Sequence, residues 1–187
     1  MLGIGQISTR IAELIRGALP YAIVNNDPNA SRFTRLVAYS TVQQAIDAKH
    51  MWIKVAPGEY PGFTADVADM FIEGTWDTFI NGGTTSDAIK ITAGRVTVRN
   101  MKAATTGGAG NDYRAVYASA GTGARVENIK ITDSDHSGIE CASLASQLYV
   151  INCYIEDSDG SMMVLGGWKC MSIGNELGNS GGVGVYV

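Results

Sequence analysis

Val98-Arg99-Asn100-Met101 returns as Val126-Glu127-Asn128-Ile129, then as Val150-Ile151-Asn152-Cys153, and again as Ile173-Gly174-Asn175-Glu176. The asparagines are 28, 24 and 23 residues apart. A second series keeps step: Ile89, Val116, Ile139 and Met162 are separated by 27, 23 and 23. The long interval contains 105–112, whose Gly107-Gly108-Ala109-Gly110 reads as an inserted loop. Around these repeats the apolar residues alternate with period two. Short strands are expected at 70–73, 78–80, 88–92, 95–100, 115–118, 125–132, 138–141, 147–155, 161–165, 170–173 and 182–186, separated by Gly, Asn, Asp and Ser. A repeat of about 20–28 residues with three short strands marks a solenoid, whose coils must stack to bury their apolar residues. An asparagine at each corner has a physical reason. Its amide can bond the equivalent amide of the next coil and satisfy turn groups otherwise orphaned. Asn100, Asn128, Asn152 and Asn175 are therefore expected to form a structural ladder.

Upstream, Trp52-Ile53-Lys54-Val55 reads as the first strand, closed by the turn Ala56-Pro57-Gly58-Glu59-Tyr60. A short helix precedes it, with Ser40 as cap, Gln43 closing a capping box, and Val42, Ala45 and Ile46 facing inward. Residues 25–32 are loop formers, apart from Ala30 and Arg32, and make a linker. Residues 4–19 have helical spacing. Ile4, Ile7, Ile11, Leu14 and Ile15 share one face, Arg10, Glu13 and Arg16 the other, and Gly17 and Pro20 stop the helix. This isoleucine stripe reads as an assembly helix that needs cover. The chain divides into a 1–37 arm and a 38–187 solenoid domain. The expected class is all-β: a right-handed parallel β-helix of about six coils behind an amphipathic helix and a short capping helix.

Composition agrees. The 187 residues suit about one domain. Glycine is 23 and proline only 4, which fits many tight turns. Charged residues are 17%, below the roughly 25% of average proteins. Lys and Arg number 14 against 18 Asp and Glu, a net charge of −4 that does not suit a dedicated nucleic-acid binder. No apolar run reaches membrane-spanning length. Arg10, Glu13 and Arg16 break up any secretory h-region. Cys141, Cys153 and Cys170 form no CxxC pair and read as buried thiols of a reducing compartment.

The helix Ser40-Thr41-Val42-Gln43-Gln44-Ala45-Ile46-Asp47-Ala48, the following Ala56-Pro57-Gly58-Glu59-Tyr60, then Phe71-Ile72-Glu73-Gly74, Ile80-Asn81-Gly82 and the Val-x-Asn corners resemble the pectate-lyase-like superfamily of right-handed parallel β-helices. The resemblance covers about 38–187. It implies the fold. It leaves activity open, because that superfamily includes pectin-degrading enzymes, epimerases, bacteriophage tailspikes and other virion proteins. Sugar-hydrolysing members show Asp-Asp and Gly-His-Gly segments, and this sequence has neither.

The main acidic constellation is Asp133-Ser134-Asp135-His136 with Asp157-Ser158-Asp159. Asp133 and Asp157 are 24 apart, as are Asp135 and Asp159, so the turns should stack about 5 Å apart. Three readings are open. The carboxylates act as acid and base on a sugar; Asp133 and Asp157 hold Ca²⁺; or the residues are simply turn formers. Stacked like charges carry a cost. Arg95, Arg99, Arg114 and Arg125 are groove candidates, with Arg95 and Arg99 on one side of a strand. Tyr113, Tyr117, Tyr149 and Tyr154 are spread over successive coils.

Few coils and short loops leave little material for an active site. The exposed-looking helix and the apolar end Gly184-Val185-Tyr186-Val187 ask for cover. The chain resembles trimeric phage proteins. The expectation is a non-enzymatic virion component of a tailed bacteriophage, a homotrimer decorating or cementing the capsid or forming part of the tail. Its partners would be other virion proteins and a host glycan, with no cofactor, nucleic acid or membrane. The alternative is a polysaccharide lyase or hydrolase, or a glycan-binding tailspike module, that uses Asp133, Asp135, Asp157 and Asp159.

Overall fold

The chain enters through α1 (Ile4–Ala18), β1 (Ala22–Val24), α2 (Arg32–Val37) and α3 (Val42–Asp47). It then winds through β2 (Trp52–Val55), β3 (Gly58–Pro61) and β4 (Phe63–Ala65), and through β5 (Phe71–Glu73), β6 (Thr78–Asn81) and β7 (Ile89–Ile91). In the next two coils one long strand turns a corner and serves two faces: β8 (Thr97–Ala104) with β9 (Val116–Ala118), and β10 (Ala124–Asp133) with β11 (Ile139–Cys141). Then follow β12 (Leu148–Ile151), β13 (Tyr154–Ile155) and β14 (Met163–Leu165), and last β15 (Met171–Ile173), β16 (Glu176–Leu177) and β17 (Val185–Tyr186). This computed structural model describes residues 4–106, 112–120, 122–142, 147–167, 169–178, 181–182 and 184–186, without the side chains of 4–8 and 186. The loop expected at 105–112 falls mostly on 107–111, outside the described residues.

The strand pairings are parallel, as a solenoid requires. The first face runs β1-β2-β5-β8-β10-β12-β15 and the third β4-β7-β9-β11-β14-β17. The second face is built from β3, β6, the later halves of β8 and β10, β13 and β16. The result is a parallel β-solenoid of about five turns, with β15, β16 and β17 as a largely exposed final rung where about six coils were expected.

Register decides the core. Ile53, Ile72, Val98, Val126 and Val150 stack inside the first face. Tyr60, Ile80, Ala103, Ile131 and Ile155 stack inside the second, and Phe63, Ile89, Val116, Ile139 and Met163 inside the third. All are buried. Each large member contributes roughly 1.5–3 kcal/mol by leaving water.

Asn100, Asn128 and Asn152 turn the corner with φ of 58°, 51° and 52°, a region asparagine tolerates better than most residues. Asn128 Nδ2 donates to Asn100 Oδ1 at 3.0 Å, and Asn100 Nδ2 to Glu73 Oε1 at 3.2 Å. Asn175 needs correction as the fourth member. Ile151 pairs with Ile173, so Gly174, with φ 64°, holds the corner. A Cβ on Gly174 would lie 2.5 Å from Asn152 Oδ1, so a larger residue there would have to displace that amide. Asn175 sits one residue on, donating to the Val150 carbonyl at 3.0 Å and accepting from the Cys153 N–H at 2.7 Å.

The entry differs in three ways from the sequence expectation. The cap of α3 is Thr41, whose hydroxyl accepts from Gln44 N–H, and Gln44 rather than Gln43 reaches back, to Ser40. The α3 residues Val42, Ala45 and Ile46 cover the first coil with no exposure. The expected linker ends in α2, capped by Ser31. β1 lies within the 1–37 segment and forms the first rung, with Ala22 and Val24 buried. α1 packs on α2 through Ala12 and Arg16. Arg16 Nε donates to the Val37 carbonyl at 2.9 Å, where a helix end attracts a cation. Of the isoleucine stripe, Ile11 and Leu14 stay 48% and 73% exposed and Ile15 is half-buried, while the side chains of Ile4 and Ile7 lie outside those described.

Candidate functional site

Where β10 leaves the second face, the chain makes its acidic turn. Ser134 and Ser158 form a parallel bridge on consecutive coils. Ser134 N–H donates to the Asp157 carbonyl at 3.1 Å, and Asp159 N–H to the Ser134 carbonyl at 2.9 Å. The two Asp-Ser-Asp turns are therefore in register. Their serines point inward and are buried: Ser134 Oγ donates to the Ser137 carbonyl at 2.6 Å, and Ser158 Oγ to the His136 carbonyl at 3.1 Å. Asp133, Asp157 and Asp159 are exposed and Asp135 is half-buried. Although Asp133 reaches solvent, partial desolvation at the turn, then the charges of Asp135, Asp159 and Asp157, push its carboxyl above its ordinary value. Among the described residues, no three His, Cys, Asp or Glu side chains converge as a metal-ligand set.

His136 carries this corner onto the third face. Its N–H donates to the Tyr113 carbonyl at 3.1 Å, and its Nδ1 stands 3.4 Å from Glu140 Oε2. Arg114 grips Glu140 with both arms, Nε to Oε2 at 3.0 Å and Nη2 to Oε1 at 3.3 Å. Asp87 accepts from the Arg114 backbone N–H at 2.9 Å, and its carboxylate lies 3.8 Å from the guanidinium. The Tyr117 ring lies 4.2 Å from the Arg114 guanidinium carbon. Burial weakens Arg114's hold on its proton, but the bond to Glu140 and the charges of Glu140 and Asp87 outweigh it, so its pKa is raised. Beside Asp87 opens a cavity of about 290 Å³, lined by Gln43, Thr64, Asp87, Lys90 and Tyr113 among others.

The acidic turns and this cluster form one polar track. It offers carboxyls able to exchange protons, an imidazole, cations to hold hydroxyl or acid groups, and an aromatic face for a sugar ring. The sequence singled out Arg114, Tyr117, His136 and the aspartates, but not Asp87, Lys90 or Glu140. The register held the signal. Lys90, Tyr117 and Glu140 each follow by one the inward Ile89, Val116 and Ile139, so they share one outward column.

The other arginines go elsewhere. Arg95 pairs with Asp69, Arg99 with Glu73 at 2.9 Å, and Arg125 with Glu127 at 2.6 Å, all on or beside the first face. They do not join Arg114 in one groove. Tyr149, Tyr154 and Tyr117 stand on the first, second and third faces, so they make no common platform. His50 bonds the Tyr39 hydroxyl at 2.9 Å near the entry, and burial followed by the Arg16 charge lowers its pKa.

No family model and no curated protein matches the chain. Among solved structures it is similar to the pectin methylesterase from Aspergillus niger in a penultimately deglycosylated form. The TM-score is 0.48 at 16% identity, over 88% of this chain and 86% of that one. This finding runs against the expectation of a non-enzymatic protein, which is not carried forward; the likeness itself is one of fold. The comparison says nothing of a phage origin.

Proposed function

We propose that the chain acts on a polysaccharide lying along the third face and across the acidic corner. The observation that carries this reading is the in-register pair of Asp-Ser-Asp turns, joined through His136 to the Glu140–Arg114 pair. Glycosidic cleavage needs a carboxyl that still holds its proton and a second carboxylate that does not. Asp133, pushed toward its protonated form, is the proton donor, and Asp157, stacked on the next coil at the close spacing of a retaining pair, is the nucleophile. Arg114, Lys90 and Tyr117 hold the sugars. The full chain, incubated with a panel of neutral and acidic polysaccharides, should release new reducing ends from at least one. Glu140→Gln, which loosens Arg114, should weaken substrate binding more than turnover. A panel giving neither turnover nor binding would contradict the reading, and binding without turnover would remove the acid and nucleophile roles.

A second reading concerns partners. Ile11, Leu14 and Phe33, at 48%, 73% and 59% exposure, lie on the two packed helices α1 and α2 and support self-association, with the trimer as the proposed form. Mass photometry finding only monomer across the micromolar range would contradict it.

A further inference from the structure

Two of the three cysteines meet near the far end of the solenoid. Cys141 ends β11 on the third face, and Cys170 lies in the turn just before β15. Their sulfurs are 3.2 Å apart, although the residues are 29 apart in sequence. Cys141 is buried, whereas Cys170 is partly open to solvent. Cys153 takes no part: it is buried, and its thiol points at the Val126 and Ile151 carbonyls, each at 3.5 Å.

We propose that Cys141 and Cys170 form a reversible disulfide that ties the start of the final rung to the third face two strands back. Cys170 departs from the expectation of three buried thiols, since it is partly exposed. The sulfurs must close by about 1.2 Å to reach the ~2.05 Å of a disulfide, a shift the exposed final rung can supply. The oxidant is a small-molecule disulfide such as oxidised glutathione. The accessible Cys170 thiolate attacks one of its sulfurs, forming a mixed disulfide and expelling one glutathione thiolate. Cys141 then loses its proton and attacks the Cys170 sulfur, expelling the second. Two protein thiols are oxidised and one glutathione disulfide is reduced to two thiols. Burial, then the neighbouring Cys170 thiol, push the Cys141 thiol up to about 12, so the second step is the slow one. The enclosed stretch holds all of β12, β13 and β14, so the bond should restrict unfolding of the coil that the acidic Asp157 turn belongs to.

The test uses the full chain treated with oxidised glutathione at mildly alkaline pH. Intact mass should fall by about 2 Da, and a non-reducing digest should join the Cys141 and Cys170 peptides. The thermal midpoint should rise by about 10 °C and return on reduction. Cys153→Ser should behave like the parent, and Cys170→Ser should lose the change in mass and midpoint. Three free thiols alkylated on unfolding the oxidant-treated protein, a stable glutathione adduct on Cys170 alone, or a bond that involves Cys153 would each overturn the proposal. None of these outcomes depends on whether the chain acts on polysaccharide.

Discussion

On the first face, stacking sets opposite charges side by side, Glu73 beside Arg99 and Asp69 beside Arg95, and along one strand Arg125 reaches Glu127. At the corner after the second face it sets like charges one above the other, Asp133 with Asp157 and Asp135 with Asp159. Both regions follow from the same coil spacing. On the first face the outcome is mutual neutralisation, with arginines also lying over Phe71 and Tyr149 at 4.6 and 5.6 Å. At the corner the Asp133 carboxyl feels the charges of Asp135, Asp159 and Asp157, and the buried Ser134 and Ser158 bond the turns beneath them. A carboxyl pKa raised by like charges in one place, beside pairs that neutralise each other in another, supports the proposed role of the corner.

Activity should separate the two regions most. Neutralising a corner carboxyl should cost roughly 100-fold or more in turnover, the range for losing a positioned acid or base, while neutralising a first-face carboxylate should cost none. Next in size comes the spacing of the corner itself. A Cβ on Gly160 would lie 2.3 Å from the His136 carbonyl oxygen. Gly160→Ala should therefore lose about 1–3 kcal/mol in a denaturant titration and displace His136. The ladder between the first and second faces ranks third. Asn128→Ala removes the bond to Asn100 and the side-chain amide that makes φ 51° tolerable, for an expected loss of about 1–2 kcal/mol in the same titration.

The two regions should also respond to pH with opposite sign. The Arg95 side-chain bond holds the Asp69 carboxyl below its ordinary range. Its stabilisation is present above the unfolded carboxyl's pKa and is lost as pH falls through the folded one. Asp133 is shifted the other way. Its favourable contribution is complete below the unfolded pKa and is lost as pH rises through the folded one. Thermal midpoints from about pH 3 to 7 should show Asp69→Asn less stable than the parent near neutrality and Asp133→Asn more stable, both differences closing in acid. The smallest effect belongs to Glu73 and Arg99, whose side chains are 23% and 36% exposed. A double-mutant cycle there should return about 0.2–1 kcal/mol.

The repeat made most of this architecture legible. The spacing of Ile89, Val116 and Ile139 is the register of the third face, and the distance from Asp133 to Asp157 is the register of the acidic turns. Where the reading slipped, local signals competed. Asn175 matched the corner by residue type, but the corner selects for positive φ, which Gly174 meets one position earlier. Ser40 and Thr41 both suit a cap, and only packing of Val42 and Ile46 on the first coil decides between them. Ala22–Val24 is too short to announce itself as a strand and exists because β2 offers it an edge. Glu140 and Asp87 were missed because each makes sense only beside Arg114 on a neighbouring coil.

On the proposed function the stacked carboxyls are kept for chemistry. This is tested most directly by measuring depolymerisation by the parent, Asp133→Asn and Glu73→Gln side by side, on whichever polysaccharide the panel identifies, with folding checked by circular dichroism. Asp133→Asn should lose about 100-fold or more in turnover while staying folded, and Glu73→Gln should match the parent. Equal turnover by all three proteins would contradict it.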